Sequence, residues 1–340
     1  MNQAAISQAA LMAWLSAGRT FLKQEDQQRQ SAAWAAAFAH AEGEDLPLSD
    51  FVAMIEQISR DVGDPLMGWR VGLEYDLKAL GEVGLAIIGA RTLRGALSRI
   101  VDYFGILQDA AEVRLDIAGD DASFSYRILD PDIWPRRQDS LFTLGIFAKI
   151  IRAAAGSSLS ESELVLEGCC DGLKSEQLKA LGLKCSFKGE ANLIRFPARL
   201  LDRPLGALAS ECCPNHARLN RQVALRRRRL AAALRVKTLI FQEIQEGEFS
   251  QDCVAQRLGM SSRTLRRKLG EEGVSFQKLL DECRMRLAAF EFQTRPETSI
   301  AQTALRLGYS EHSTFTRAFV RWWGVPPQKF IREGQPLKAA

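Results

Sequence analysis

The chain has 340 residues, 46% of them apolar and 25% charged, with a formal net charge of +4. These are ordinary globular values, and the length predicts about two domains. No apolar run approaches the ~20 residues of a membrane helix. The seven cysteines form no CxxC and the three histidines show no zinc spacing, so neither a disulfide framework nor a metal site is expected.

The N-terminal stretch lacks a basic n-region, so the expected location is the cytoplasm, on the nucleoid when DNA is bound. In that reducing setting the adjacent pairs Cys169–Cys170 and Cys212–Cys213 read as small hydrophobes.

The first hundred residues carry helical periodicity. "ISQAALMAWLSAGRTFL" and "LSDFVAMIEQISRDVG" repeat apolar residues at i, i+3 and i+4, and Gly63 with Pro65 closes the second. Thr92–Leu107 is a third amphipathic helix, with Leu93, Leu97, Ile100, Val101 and Phe104 as its predicted stripe.

The period then drops to two. Val113, Leu115 and Ile117 alternate with polar residues, "GDD" supplies a turn, and Phe124, Tyr126 and Ile128 alternate again, which predicts a β-hairpin. Helix returns over Asp139–Gly156, and "ELVLEG" and "KCSFKGEANLIRF" read as further short strands. Residues 1–216 are thus expected to form an α+β domain.

Residues 217–235 are helical in composition and include the run Arg226–Arg229. Such a run fits a solvated linker and a segment beside nucleic acid equally well. Residues 236–340 read as successive helices broken by Gly and Ser, with no strand pattern.

Charge divides the chain at the same place. From Ala217 onward there are 23 Lys and Arg against 12 Asp and Glu, a net +11, and the first 216 residues hold the other 22 and 29, a net −7. A basic module on an acidic body points to a polyanion partner.

That module contains a repeat. "RLGMS" (Arg257–Ser261) recurs as "RLGYS" (Arg306–Ser310) at an offset of 49. Leu265, Arg267 and Leu269 then match Phe315, Arg317 and Phe319 at an offset of 50, so the second copy gains one residue after the turn.

Leu258 and Leu307 are expected in the core. Gly259 and Gly308 suit a helix end with positive φ, and Ser261 and Ser310 suit the next N-cap. Ser299 with Gln302 reads as a capping box. Two helices at a short Gly-containing turn form a helix-turn-helix unit. Two such units, joined by a long helix over Ser275–Phe292, are expected in an all-α domain.

At ~100° per residue, Arg263, Arg266 and Arg267 share one sector of the helix after the first turn. Leu265 and Leu269 lie opposite, with Lys268 on the flank. No acid stands between Ser261 and Leu269. Arginine forks fit guanine edges and phosphates, and a helix fits the major groove. In the second copy Phe315, Ala318 and Phe319 form the apolar face, and Ser313, Thr316 and Arg317 the polar one, with His312 beside it.

On these residues the chain resembles the AraC/XylS family of bacterial transcription regulators. The second copy carries the signature most fully: "GYS", then "FTRAF", then "RWWGVPP". The resemblance implies contacts to DNA from Arg263, Arg266, Arg267, His312, Ser313, Thr316 and Arg317. Val320 and Ile331 stand where members often carry Lys and Arg, and Arg321 and Arg332 next to them can take over those phosphate contacts.

"DPLMGWRVGL", "GEVGLAIIGARTLRGALSRIVDYFGIL" and "LKCSFKGEANLIRFPARLLDRPL" resemble the arabinose-binding-like sensor domain of some members. This implies effector binding or dimerisation by the first domain.

The expected function is sequence-specific regulation of transcription, as an activator, under a small-molecule effector. Promoter DNA, RNA polymerase and a second copy of the chain are the expected partners. Two alternatives stay open at this point: a regulator controlled by a protein partner or by dimerisation without a small ligand, and an enzyme with a DNA-binding tail. Against the enzyme stands the absence of GxSxG, P-loop, GxGxxG, HExxH and CxxC motifs. No catalytic residues, cofactor or metal are expected, and effector-binding residues are not readable.

Overall fold

The computed structural model describes residues 4–25, 45–156, 161–167, 173–189, 191–208, 214–244 and 250–333. His40 and the cysteines at 169, 170, 212 and 213 lie outside them. The chain divides into two compact units. One gathers Ile128–Trp134 and the chain from Arg228 onward, and the other gathers the rest.

The first unit is α+β. Strand β1 (Ala5–Ile6) pairs antiparallel with β2 (Leu46–Pro47), with helix α1 (Gln8–Glu25) following β1. Helices α2 (Leu48–Val62), α3 (Met67–Glu74), α4 (Glu82–Ile88) and α5 (Leu93–Leu107) come next.

Helix α5 starts where the sequence predicts, with the Thr92 hydroxyl accepting from Gly95 N–H at 3.3 Å. Its buried stripe is rotated from the expected one. Leu93, Leu97 and Ile100 are buried as expected, but Tyr103 and Leu107 join them while Val101 faces solvent. The stripe follows the 3.6-residue period rather than the hydropathy of each side chain.

A five-stranded sheet follows, built from β3 (Ala111–Ala118), β4 (Asp121–Ile128), β5 (Glu163–Glu167), β6 (Lys184–Gly189) and β7 (Asn192–Pro197) in the order β3-β4-β7-β5-β6. The expected alternation holds on β4, where Ala122, Phe124, Tyr126 and Ile128 are buried. The register Phe124↔Ile194↔Leu164 carries the same buried row across β7 and β5. On edge strand β3, Val113 is buried but Ile117 is 48% exposed, because an edge strand covers less of the core.

Helix α6 (Arg137–Ala155) packs on this row, with the Phe124 and Phe147 rings 4.4 Å apart. Its opposite side receives α3 at very close range. A Cβ added at Gly72 would lie 2.3 Å from the Phe142 carbonyl oxygen, and one at Gly145 would lie 2.6 Å from that of Trp69. Only hydrogen fits at either position.

Polar side chains at the start of α6 are buried in a connected network. The Arg136 guanidinium donates to both oxygens of Glu167 at 2.7 and 2.8 Å. The Tyr126 hydroxyl donates to Asp139 at 2.6 Å and accepts from the Gln108 amide at 2.7 Å. Burial pushes the Asp139 carboxyl up to about 7, while the Tyr126 hydrogen bond and the Arg136 charge pull the other way.

Helices α7 (Ser175–Ala180) and α8 (His216–Arg229) complete this unit's elements. Arg226 on α8 is turned inward. It donates to Asp109 at 2.9 Å and to Asp45 at 2.8 Å. At this residue the arginine run is thus neither solvated nor offered to a polyanion.

The second unit is helical: α9 (Ala232–Glu243), α10 (Gln251–Arg257), α11 (Ser262–Glu271), α12 (Phe276–Thr294), α13 (Ile300–Arg306), α14 (His312–Trp323) and α15 (Pro327–Glu333). Its core joins Val236 and Ile240 of α9 to Leu265, Leu269, Leu279, Cys283, Phe292, Phe315 and Phe319. Glu272 accepts from the Ala232 and Ala233 N–H groups at 2.7 and 2.9 Å, which satisfies the open N-terminus of α9. Among the described residues no helix is long and apolar enough to cross a membrane.

Two stability outcomes follow from the first unit. Gly72→Ala drives a methyl group into the backbone of α6 and should cost about 1–3 kcal/mol, read as a lower urea midpoint. In the folded chain Asp139 keeps a proton that the unfolded chain loses above its ordinary pKa of 3.8. Stability contributed there falls as pH rises from about 4 to about 7 and then levels off. Urea midpoints of Asp139→Asn between pH 5 and 8 should lose much of this slope.

Candidate nucleic-acid interface

The first helix-turn-helix is built from α10 and α11. Ser250 caps α10, its hydroxyl accepting from Cys253 N–H at 3.2 Å. The helix ends at Leu258, and Gly259 takes φ 68°, the left-handed turn that its lack of a Cβ permits. Ser261 then caps α11 as expected, accepting from Thr264 N–H at 3.2 Å.

Leu265 and Leu269 bury one face of α11, and Arg263, Arg266 and Arg267 are exposed on the other. Lys268 is half-buried on the flank. The three arginines differ in one respect. Arg267 is ion-paired with Glu271 one turn on, an acid just beyond the acid-free stretch noted in the sequence. Among the described residues Arg263 and Arg266 have no ion-pair partner, so their forks are open to solvent.

The second helix-turn-helix repeats the plan with differences. Gly308 again takes positive φ, at 80°, and Leu307 is buried. The capping box expected from Ser299 and Gln302 does not form; Ser299 stands at the N-cap of α13 with no side-chain hydrogen bond. Ser310 is not the N-cap of α14 either. That place falls to Glu311, whose carboxylate accepts from the Ser313 hydroxyl at 3.2 Å. The physical reason is the inserted residue: α14 begins 50 positions after α11, so the cap moves one residue past the matching serine.

On α14, Phe315, Ala318 and Phe319 are buried, and His312, Ser313 and Arg317 are exposed. The Arg317 guanidinium donates to the Thr314 hydroxyl at 3.3 Å. Thr316 is different. It is half-buried, and its hydroxyl is covered without a hydrogen-bond partner among the described residues.

Val320 is 37% exposed and Ile331 packs on the core, while the Arg321 and Arg332 side chains are 67% and 77% exposed. The cations next to the two apolar positions are therefore the ones in solvent.

Sequence reasoning passed over the group that holds α13 in place. Glu291, buried on α12, accepts from the Thr303 hydroxyl at 3.1 Å, is ion-paired with Arg306, and has Arg295 at 3.6 Å. A Glu within a helix pattern reads as a solvated position, and its i+4 Arg hides the tertiary partners. Arg284 adds a second tie, lying 5.2 Å over the Tyr309 ring in the second turn.

Comparison with known proteins matches two stretches of the chain to families. Residues 28–205 match the family described as the arabinose-binding domain of AraC transcription regulator, N-terminal, and residues 254–333 match a helix-turn-helix domain. The chain belongs to the AraC family of transcription regulators.

Similar proteins include an uncharacterized HTH-type transcriptional regulator of Mycobacterium tuberculosis, 30% identical over 84% of each chain. The ornithine utilization regulator of Pseudomonas aeruginosa is 25% identical, again over 84% of each. Among solved structures, the transcriptional regulator CdpR from Pseudomonas aeruginosa matches at 25% identity over 82% of this chain and 90% of that one, with a TM-score of 0.38.

For this AraC-family regulator the exposed arginines make a graded test. Arg266→Ala should weaken binding to a specific site by about 1–3 kcal/mol and relax the preference at one base pair, read by electrophoretic mobility shift on a set of single-base variants. An equal loss on every sequence would mark a phosphate contact instead. Unchanged binding in the triple variant Arg263→Ala, Arg266→Ala, Arg317→Ala would remove these helices from the interface.

Proposed function

We propose that this regulator binds promoter DNA through Arg263, Arg266 and Arg267 on α11 and His312, Ser313, Thr316 and Arg317 on α14. It acts as a transcriptional activator, controlled through its α+β unit by a small-molecule effector. The observation that carries the DNA reading is the pair of tandem helix-turn-helix units, each with an apolar face buried and a polar, arginine-bearing face in solvent.

Arg263 and Arg266, with open guanidinium forks, suit guanine edges or phosphates. Arg267 and Arg317 occupy matching places, and each must exchange a local partner for DNA. Thr316 contributes only if its side chain turns outward on binding. The helix between the units has 19 residues, or about 28 Å, close to the ~34 Å repeat of the major groove.

Effector control rests on the match to a ligand-binding family over residues 28–205 and on the named role of a relative in ornithine utilization. A ligand that prefers one conformation shifts the population toward it. A homodimer would set two such readers on paired half-sites and raise avidity, and an activator would also touch RNA polymerase. The proposed site of action is the cytoplasm.

Footprinting of the full-length protein on promoters flanking its gene tests the DNA reading. Protection of two adjacent major-groove faces per protomer is expected, with log K falling against log salt by ~0.9 for each phosphate contacted. Salt-independent binding would contradict an arginine-based grip. A metabolite panel scored by promoter affinity tests effector control. A response to none, with a response to an added protein instead, would favour partner control.

A further inference from the structure

The α+β unit holds a cavity that the DNA reading does not use. It lies among α1, α5 and α6, with about 60 Å³ of room for water-sized molecules and a mouth open to solvent. Its walls are apolar almost throughout: Ile87, Ile100, Phe104, Phe142, Ile146 and Phe147 dominate them. Among the described residues that line it, Tyr75, Thr143 and Gln108 are the polar ones and none is charged. Burial pushes the Tyr75 phenol well above its ordinary pKa, so that group stays neutral too.

This lining decides against the ligands that the relatives' names suggest. A pentose buries four or more hydroxyls, and each one left without a partner loses its hydrogen bonds to water with nothing in return. Three polar residues cannot satisfy them. A charged amino acid would need a counter-ion, and the described residues of the wall supply none. An apolar molecule gains instead in proportion to the surface it removes from water.

We propose that this cavity is the effector site and that its effector is a small, uncharged, largely apolar molecule with one polar group. A short aliphatic alcohol or a substituted phenol has the right chemistry. The proposal rests on the effector-control reading above and gives that effector a class.

The wall also joins the rest of the unit at one point. Gln108 lines the cavity and donates to the Tyr126 hydroxyl at 2.7 Å. Its neighbour Asp109 accepts from Arg226 at 2.9 Å, and Arg226 stands on α8, the helix that leads out of the unit. A molecule that displaces Gln108 therefore acts one peptide bond from the clamp on that helix.

The test is thermal unfolding of the full-length protein with 1-hexanol, 4-methylphenol or L-arabinose, in the wild type and in Ala10→Leu, which adds three carbons to the cavity wall. Ile146→Phe fills the same space from a half-buried position, should the first variant not fold. At ten times its Kd an apolar probe should raise the wild-type Tm by about 3–6 °C. L-arabinose should leave Tm unchanged, and the filled variant should lose the shift.

No shift with either apolar probe, or an equal shift in wild type and filled variants, overturns the site. Promoter affinity measured in the same solutions separates the two readings. An affinity that responds to polar metabolites but not to the apolar probes keeps effector control and overturns this ligand class. Cavity binding that leaves promoter affinity unchanged keeps an apolar ligand pocket and overturns its role as the effector site.

Discussion

The placement of α14 depends on one buried carboxylate. Glu291 sits on the inner face of α12 and holds Thr303 and Arg306 of α13. Phe292, Phe315, Phe319 and Phe330 supply the apolar burial around it, with the Phe292 and Phe319 rings 5.7 Å apart. Apolar burial is non-directional, so those rings alone would accept several rotations of the helix pair. A buried charge is stable only with its partners in place, and Glu291 therefore selects one. With α13 fixed, the turn at Gly308 fixes where α14 starts and which side chains it offers to solvent.

The α+β unit uses a similar device on a basic helix. Asp109 is buried, and with Asp45 it takes the Arg226 guanidinium out of solvent. The acidic balance of the first 216 residues is thus partly structural. Near α6 another pair, Arg136 and Glu167, is buried on both sides, and Asn192 donates to the same carboxylate at 2.8 Å. Each of these groups is satisfied, which is the condition for keeping charge inside a core.

Local signals carried much of the architecture. Period-two alternation located β4, and helical periodicity located α2, α5 and α6. A serine cap located the start of α11. These succeed because each depends on residues three or four apart, or on strict alternation along one strand. Among the misses, Val101, the cap at Ser310 and the capping box at Ser299 were all chemically suitable. Val101 lost to the packing of α5 and Ser310 to a one-residue shift, and nothing in the structure explains the missing box at Ser299.

The candidate site divides in the same way. The sequence by itself determined the two helix-turn-helix units, the opposed faces of α11 and α14, and the cationic character of the first. Those properties follow from helical geometry and residue type. Only the tertiary structure decided that Arg226 is clamped away from solvent, that Arg267 is engaged by Glu271 and that the Thr316 hydroxyl is covered. It alone assembled the apolar cavity from residues as distant as Ala10 and Phe147. The cause is burial, since whether a side chain meets water, an ion partner or a ligand depends on what the fold brings against it from elsewhere in the chain.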